Sequence, residues 1–469
     1  MTTASSHFII VTYPLQSHLN PALQFAKRLL HIGARVTIAA AASGYRRMFK
    51  DSIPEGITIA VISDGCDVGH DPTDGSDAAI NDYIAKLKLH GARTLGELIG
   101  KSANEGRPVT CVVYSILLSW AADVARKFNV PSALLWIQSA TMLNIYYHYF
   151  YGYANVIKEC EKDPSWSLDL PGLNLQLKAR DLPSFVMPSS PYTFALPAFR
   201  EQFEELEKES NPKIFVNTYN ELEPEALRSI EKFSPVAVGP LLPSSLLDGT
   251  DPSGDSLDIA FFRRSEDYIP WLNSRSESSV IYVSFGSISV LSRRQTGEIA
   301  RALLDTSRPF LWVIREKAGG EEESEEDSLT CMDELEKRGL IVPWCCQVEV
   351  LSHPAVGCFV THCGWNSSLE SLSCGVPVVA CPQWSDQLTN ARMIEDVWKT
   401  GVRVRKDEEG VVESGEMKRC FEIVMESEEM RKNAKKWREL AVEASEDNLK
   451  ILRDFVQEVG DDSVGKESP

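Results

Sequence analysis

Nowhere in the chain do apolar residues run for anything near the roughly 20 positions that a membrane-spanning helix needs. The first residues, MTTASSHFIIVTYPLQ, carry no basic stretch ahead of their short apolar run, so they do not read as a secretory signal. Both absences point to a cytoplasmic protein without a membrane span. Positive charge is also scarce. Lys and Arg number 48 against 67 Asp and Glu, a formal net charge of −19. A surface of that sign repels nucleic acid and anionic membranes, and argues against both as partners. A nucleotide-sized ligand remains admissible, because helix ends and local donors can hold it despite the global charge. The cysteines, 11 in all, are odd in number and irregular in spacing, which reads as reduced thiols. No second Cys/His pair stands at zinc spacing from the adjacent Cys345 and Cys346. No Asp-x-Asp pair occurs, so a paired-carboxylate site for a divalent metal is missing, and no metal or other cofactor is expected. No Gly-x-Gly-x-x-Gly follows any strand-like run, which disfavours a nicotinamide dehydrogenase.

What is present is an ordinary globular composition, 43% apolar and 25% charged, over 469 residues, enough for two or three domains. Phe8–Tyr13 is a short β-rich run, and Asn20-Pro21 after it reads as a helix N-cap with a first-turn proline. Leu23, Ala26, Leu29 and Leu30 give that helix its buried stripe, and Gly33 ends it before a strand at Arg35–Ala40. His18 therefore stands at the carboxyl end of the first strand, where open α/β sheets place their ligands. The alternation continues with Ile57–Ile62, a helix at Asn81–Ile99, Val109–Tyr114, a helix at Trp120–Phe128, and Ser132–Ile137. This spacing predicts a doubly wound parallel sheet with helices on both faces. The aromatic run Tyr146–Tyr153 is read mainly as helix packing. A helix at Phe194–Glu209 and a strand at Ile214–Asn217 close the first half, and residues 241–264, rich in Pro, Ser and Gly, form a linker.

The second half restarts the pattern with a strand at Val280–Phe285, the turn Gly286-Ser287, and Ser292 with Gln295 as a capping box. Gly319–Asp327 is an acidic low-complexity loop without chemistry. The most informative stretch is Trp344–Gln387, WCCQVEVLSHPAVGCFVTHCGWNSSLESLSCGVPVVACPQWSDQ. A strand at Gly357–Val360 runs through Thr361-His362-Cys363-Gly364-Trp365-Asn366 into a helix that Gly375 and Pro377 stop. A helix beginning just past a strand aims free N–H groups and a positive dipole end at whatever sits above the sheet, which favours phosphate. Ser367 and Glu370 also have capping-box spacing, a purely structural alternative. Trp344, Gln347, His362, Trp365, Gln383, Ser385, Asp386 and Gln387 fall at strand ends or turns. That mixture supplies a flat face, phosphate donors and hydroxyl partners, as a sugar-nucleotide pocket requires.

The stretch Trp344–Gln387 resembles, nearly letter for letter, the signature box of the plant UDP-dependent small-molecule glycosyltransferases. His18 within Ser17-His18-Leu19-Asn20-Pro21 and Val283-Ser284-Phe285-Gly286-Ser287 fall in the family's order, so the likeness covers essentially the whole chain. It implies the GT-B fold, two Rossmann-like α/β domains facing across a cleft. Residues 1–240 would bind the acceptor and 265–440 the UDP-sugar, with 441–469 crossing back onto the first domain. The resemblance puts Trp344 under the uracil, Cys345 by its backbone and Gln347 on the uracil edge, and Glu370 on the ribose. It puts His362, Asn366 and Ser367 on the diphosphate, and Trp365, Asp386 and Gln387 on the sugar, with Gln387 going with glucose. Ser287 is an additional donor for the departing diphosphate, and Ser385 belongs to the same polar cluster. The chain looks most like the subgroup that includes anthocyanin 5-O-glucosyltransferases and enzymes making glucose esters.

Transfer from UDP to an acceptor oxygen needs a base for the acceptor proton, and the resemblance makes that base His18 and the reaction inverting. In one place the chain departs from the family. An aspartate usually follows the strand read at Val109–Tyr114 and orients the histidine, whereas this chain has Ser115. Asp123, eight residues on, is a possible substitute. A serine cannot stabilise imidazolium as a carboxylate does, so an acceptor that is already acidic suits such a site. The expected partners are a UDP-sugar and a small-molecule acceptor, and the chain is expected to be a monomer. The competing reading is a non-catalytic sugar-nucleotide sensor.

Overall fold

The computed structural model of the chain describes residues 6–48, 53–66, 76–163, 165–243, 246, 265, 267–315 and 332–464. Most of the expected linker and the whole acidic stretch Gly319–Asp327 lie outside the described residues. The chain divides into two compact units, one of Met1–Phe261 with Val442–Pro469 and one of Phe262–Ala441.

The first unit is built on a parallel sheet of β1 (His7–Thr12), β2 (Arg35–Ala41), β3 (Ile57–Ile62), β4 (Cys111–Ser115), β5 (Ser132–Trp136), β6 (Lys213–Val216) and β7 (Val236–Ala237), in the order β3-β2-β1-β4-β5-β6-β7. All residues of β1 and β4 are buried, as befits central strands covered on both faces, and this is why they read as continuous apolar runs. Val11 lies beside Tyr114 in the register, and the strand order reverses between β1 and β4. A reversal of that kind opens a crevice beyond the carboxyl ends of the two strands.

Two boundaries there differ from the expected ones. The helix after β1 spans Gln16–His31, beginning before Asn20-Pro21, because the Leu15 carbonyl already accepts the N–H groups of His18 and Leu19, each at 2.9 Å. Pro21 then sits inside the helix, where its fixed φ is compatible but its own N–H bond to the preceding turn is forgone. His18 is thus held on a helical first turn, and no loop carries it. Ser115 is itself the last residue of β4, paired with Leu135.

The start of the aromatic run packs inward as expected, Tyr146 stacking on Phe199 at 4.1 Å and meeting Trp136 edge-on, whereas Tyr151 is exposed. The final helix, Glu428–Val464, contributes its later turns to this unit. Phe455 packs against Phe8 at 6.0 Å and Phe215 at 4.8 Å, and the Asn448 amide donates to the Gly239 carbonyl. Among the described residues no helix is long and apolar enough to cross a membrane.

The second unit has β8 (Val280–Ser284), β9 (Phe310–Val313), β10 (Leu340–Val342), β11 (Val356–Thr361), β12 (Val378–Ala380) and β13 (Gly401–Arg403), again all parallel, in the order β10-β9-β8-β11-β12-β13. Ile281, Val283, Phe310, Trp312, Cys358 and Val360 form its core with Met417 and Phe421 of the helix Ser414–Glu426. Each such large side chain, wholly removed from water, contributes about 1.5–3 kcal/mol. Ser292 caps the helix Arg293–Thr306 by accepting the Gln295 N–H at 3.2 Å. Gln295 does not return the bond; its amide pairs both ways with the Val412 backbone, at 3.1 and 2.9 Å. The order of strands reverses here between β8 and β11, with Ser284 beside Thr361.

Candidate functional site

In the second unit the reversal point gathers most of the residues singled out above. β8 leads into Gly286 and Ser287, and β11 leads through His362, Cys363 and Gly364 into the helix Trp365–Cys374. Gly364 is the N-cap of that helix. Asn366 and Ser367 are therefore its second and third residues, and their backbone N–H groups belong to the first turn, which points at an anion. The capping box of Ser367 with Glu370 does not form, since the cap lies three residues earlier.

Both side chains instead turn to Gln347. The Gln347 Nε2 donates to Ser367 Oγ at 2.8 Å and to Glu370 Oε2 at 2.5 Å, while its Oε1 accepts the Tyr282 hydroxyl at 3.3 Å. One amide thereby fixes a hydroxyl and a carboxylate at the mouth of the helix. Tyr282, buried in β8 and stacked on Phe359 at 5.0 Å, also lies 3.5 Å from Cys345 Sγ. Sequence reasoning passed over Tyr282, whose signal is a polar-tipped ring in an otherwise aliphatic strand. Trp344 is partly buried just after β10.

His362 fits between two glycines. A Cβ at Gly286, whose φ is +73°, would come within 2.7 Å of its ring, and one at Gly364 within 2.6 Å. Burial lowers its pKa to about 4, helped by the nearby Arg315 guanidinium, so the imidazole is neutral at pH 7 and offers one N–H and one lone pair.

Trp365 does not present its ring. The indole is 3% exposed and packs against Trp398 at 6.0 Å, while the backbone N–H bonds to Asp386. Asp386 also receives the Asn390 amide, at 2.8 Å, and the Ser385 hydroxyl. Burial nevertheless pushes its carboxyl up to about 6. Ser385 holds a left-handed φ of 60°, a conformation that its surroundings impose. Gln387 opens the helix Gln387–Arg392, and its Oε1 accepts the N–H groups of Gln383 and Trp384 at 2.9 and 3.2 Å. Its amide donors are then the end suited to a sugar hydroxyl.

In the first unit the corresponding reversal point holds His18, which is 7% exposed. Its Nδ1 lies 3.3 Å from Ser115 Oγ, and Ser115 can donate onward to the Ile116 carbonyl at 3.5 Å. Nδ1 donates to Ser115 in one tautomer and accepts from it in the other, and the tautomer protonated at Nδ1 is the one that leaves Nε2 as a base. Burial alone drives the His18 pKa down to about 3. Tyr13 flanks the ring at 5.3 Å. Asp123 does not replace the missing carboxylate; it is 43% exposed and paired with Lys127 at 2.6 Å and Arg126 at 3.4 Å.

Comparison with known proteins agrees with this geometry. Residues 263–443 match the family model described as UDP-glucoronosyl and UDP-glucosyl transferase. The chain is 54% identical over 465 residues to a crocetin glucosyltransferase, chloroplastic, of Gardenia jasminoides, covering 97% of both proteins. It is 47% identical over 466 residues to an anthocyanidin 3-O-glucoside 5-O-glucosyltransferase of Perilla frutescens, covering 96% of this chain and 98% of the relative. The crystal structure of Os79 from O. sativa in complex with UDP superposes with a TM-score of 0.81 at 32% identity, over 96% of this chain and all of that one. Likeness sustained along nearly the whole sequence, on two parallel sheets whose reversal points carry these residues, shows that the chain belongs to the family of UDP-dependent glycosyltransferases.

Proposed function

We propose that this chain transfers glucose from UDP-glucose, with inversion, to a hydroxyl or carboxyl oxygen of a small plant metabolite. The observation that carries this reading is the Gln347 array, which binds Ser367 and Glu370 together beside the N-terminus of the helix Trp365–Cys374. Glu370 and Gln347 serve the nucleoside, with Trp344 as the flat face for the base and the Cys345 backbone at its edge. Asn366, Ser367, His362 and Ser287 serve the diphosphate. Asp386, held by the Trp365 N–H and the Ser385 hydroxyl, and the Gln387 amide serve the sugar. The names of the relatives, which include acceptors of flavonoid and anthocyanidin type, support the acceptor class.

In the chemical step His18 Nε2 takes the acceptor proton as that oxygen bonds to the anomeric carbon. The carbon–oxygen bond to the diphosphate breaks and UDP leaves with the electron pair, its charge met by the helix N-terminus. No metal enters this scheme, and the reaction is written for a cytoplasmic monomer. Because His18 has only a hydroxyl behind it, acceptors already ionised or acidic near pH 7 are favoured over neutral alcohols.

The test is incubation with UDP-glucose, and separately UDP-galactose, against a panel of flavonoids, phenols and aromatic acids. UDP release that requires acceptor, with the glucosylated product seen by mass spectrometry, is the expected outcome. Tight UDP binding without turnover on any acceptor would support a sensor and refute the proposal.

A further inference from the structure

The guanidinium of Arg315, two residues past β9, donates one N–H to the Ser287 carbonyl and another to the Ser289 carbonyl. Among the described residues it forms no ion pair with a carboxylate. The two carbonyls belong to the turn that leaves β8 at the reversal point. Gly286, at the head of that turn, closes over the His362 ring so tightly that it has no room for a Cβ. Arg315 is also close enough to that ring to act on its charge. A planar fork bonded to two carbonyls of one turn, two residues apart, is a job for arginine, because its donors lie in one rigid plane while a lysine offers a single mobile point charge. The turn is thereby held where Gly286 meets His362, and a permanent positive charge stands close to that ring.

We propose that Arg315 is a positioning residue for the donor's diphosphate. Its fork fixes the Gly286–Ser289 turn against His362, and its charge favours the build-up of negative charge as UDP departs. This deepens the assignment of the second unit to UDP-glucose and rests on it. A group serving the diphosphate acts in proportion to phosphate charge and leaves the nucleoside alone. A group serving only the fold weakens every ligand alike.

The experiment uses the full chain with Arg315→Gln and Arg315→Lys, calorimetric titration of UDP and uridine, and steady-state kinetics with UDP-glucose. For Arg315→Gln the expected result is UDP affinity lower by about tenfold or more, uridine affinity within about twofold, and kcat lower by about tenfold or more. For Arg315→Lys, UDP affinity recovers in large part while kcat stays depressed, since charge returns without the two-pronged clamp. Equal weakening of UDP and uridine, or UDP affinity and kcat both unchanged, overturns the proposal. Should Arg315→Gln not fold, the lysine variant decides: a lowered kcat with uridine binding intact supports the assignment, and an unchanged kcat refutes it. If the wild-type chain binds no UDP, the donor assignment itself fails, which is a different result from either.

Discussion

Replacing Ser115 by aspartate is expected to make His18 a stronger base and to shift acceptor preference toward neutral alcohols. The Ser115 hydroxyl lies 3.3 Å from His18 Nδ1, so a carboxylate there would meet the imidazolium at hydrogen-bond distance. Two unit charges about 4 Å apart at an effective dielectric of about 20 attract by about 4 kcal/mol, and a neighbouring opposite charge typically moves a pKa by about 1–3 units. The His18 pKa, now about 3, would rise to roughly 4–6. If half the added basicity is felt in the transition state, kcat/KM for a neutral alcohol rises about 3- to 30-fold. An acceptor already ionised at pH 7 owes nothing to the base, and its rate should stay within about twofold of wild type. Ser115 is wholly buried, so the larger side chain costs about 1–3 kcal/mol in packing, and the melting temperature must be followed alongside. The assay is initial UDP release at pH 7 with an aliphatic alcohol and an aromatic acid, read as the ratio of the two kcat/KM values. A folded Ser115→Asp protein whose ratio is unchanged would refute the account of the weak base.

Three further outcomes are expected. Replacing His18 by alanine should depress turnover of neutral alcohols by about 100-fold or more and of carboxylic acids far less; equal losses on both would remove His18 from the base role. The Asp386 carboxyl, raised to about 6, is ionised above that pH and protonated below it, so the KM for UDP-glucose should climb as pH falls through 6. His18 cannot cause that change, being neutral throughout that range, and an Asp386→Asn variant whose KM still varied with pH would sink the assignment. Activity should survive EDTA; complete loss on chelation, restored by a divalent ion, would contradict the metal-free scheme.

Much of the architecture was legible because buried parallel strands announce themselves as apolar runs, as β1, β4, β8 and β11 do. The edge strands β7, β10 and β13, two or three residues long, are too short to carry a period and went unread. Local signals also misled. Asn20-Pro21 has the form of a helix start, but the Leu15 carbonyl captured two N–H groups first. Ser367 and Glu370 have capping-box spacing, but the turn through Cys363, with its φ of 65°, moved the cap to Gly364 and freed both side chains for Gln347. The resemblance named residues for the nucleotide box and set Ser115 behind His18, yet neither spacing nor likeness indicated that one amide binds three of its neighbours, or that Ser115 is the last residue of its strand. Such facts depend on contacts between segments distant in sequence.

The packing of Phe455 against Phe8 and Phe215 has a consequence for synthesis. The first unit's sheet is translated early, but the aromatic ring that seals it arrives only after all of Phe262–Ala441 has been made. At about 5–20 residues per second the ribosome needs roughly 10–40 s for that interval, during which one apolar flank of the nascent domain stays open to water and to chaperones.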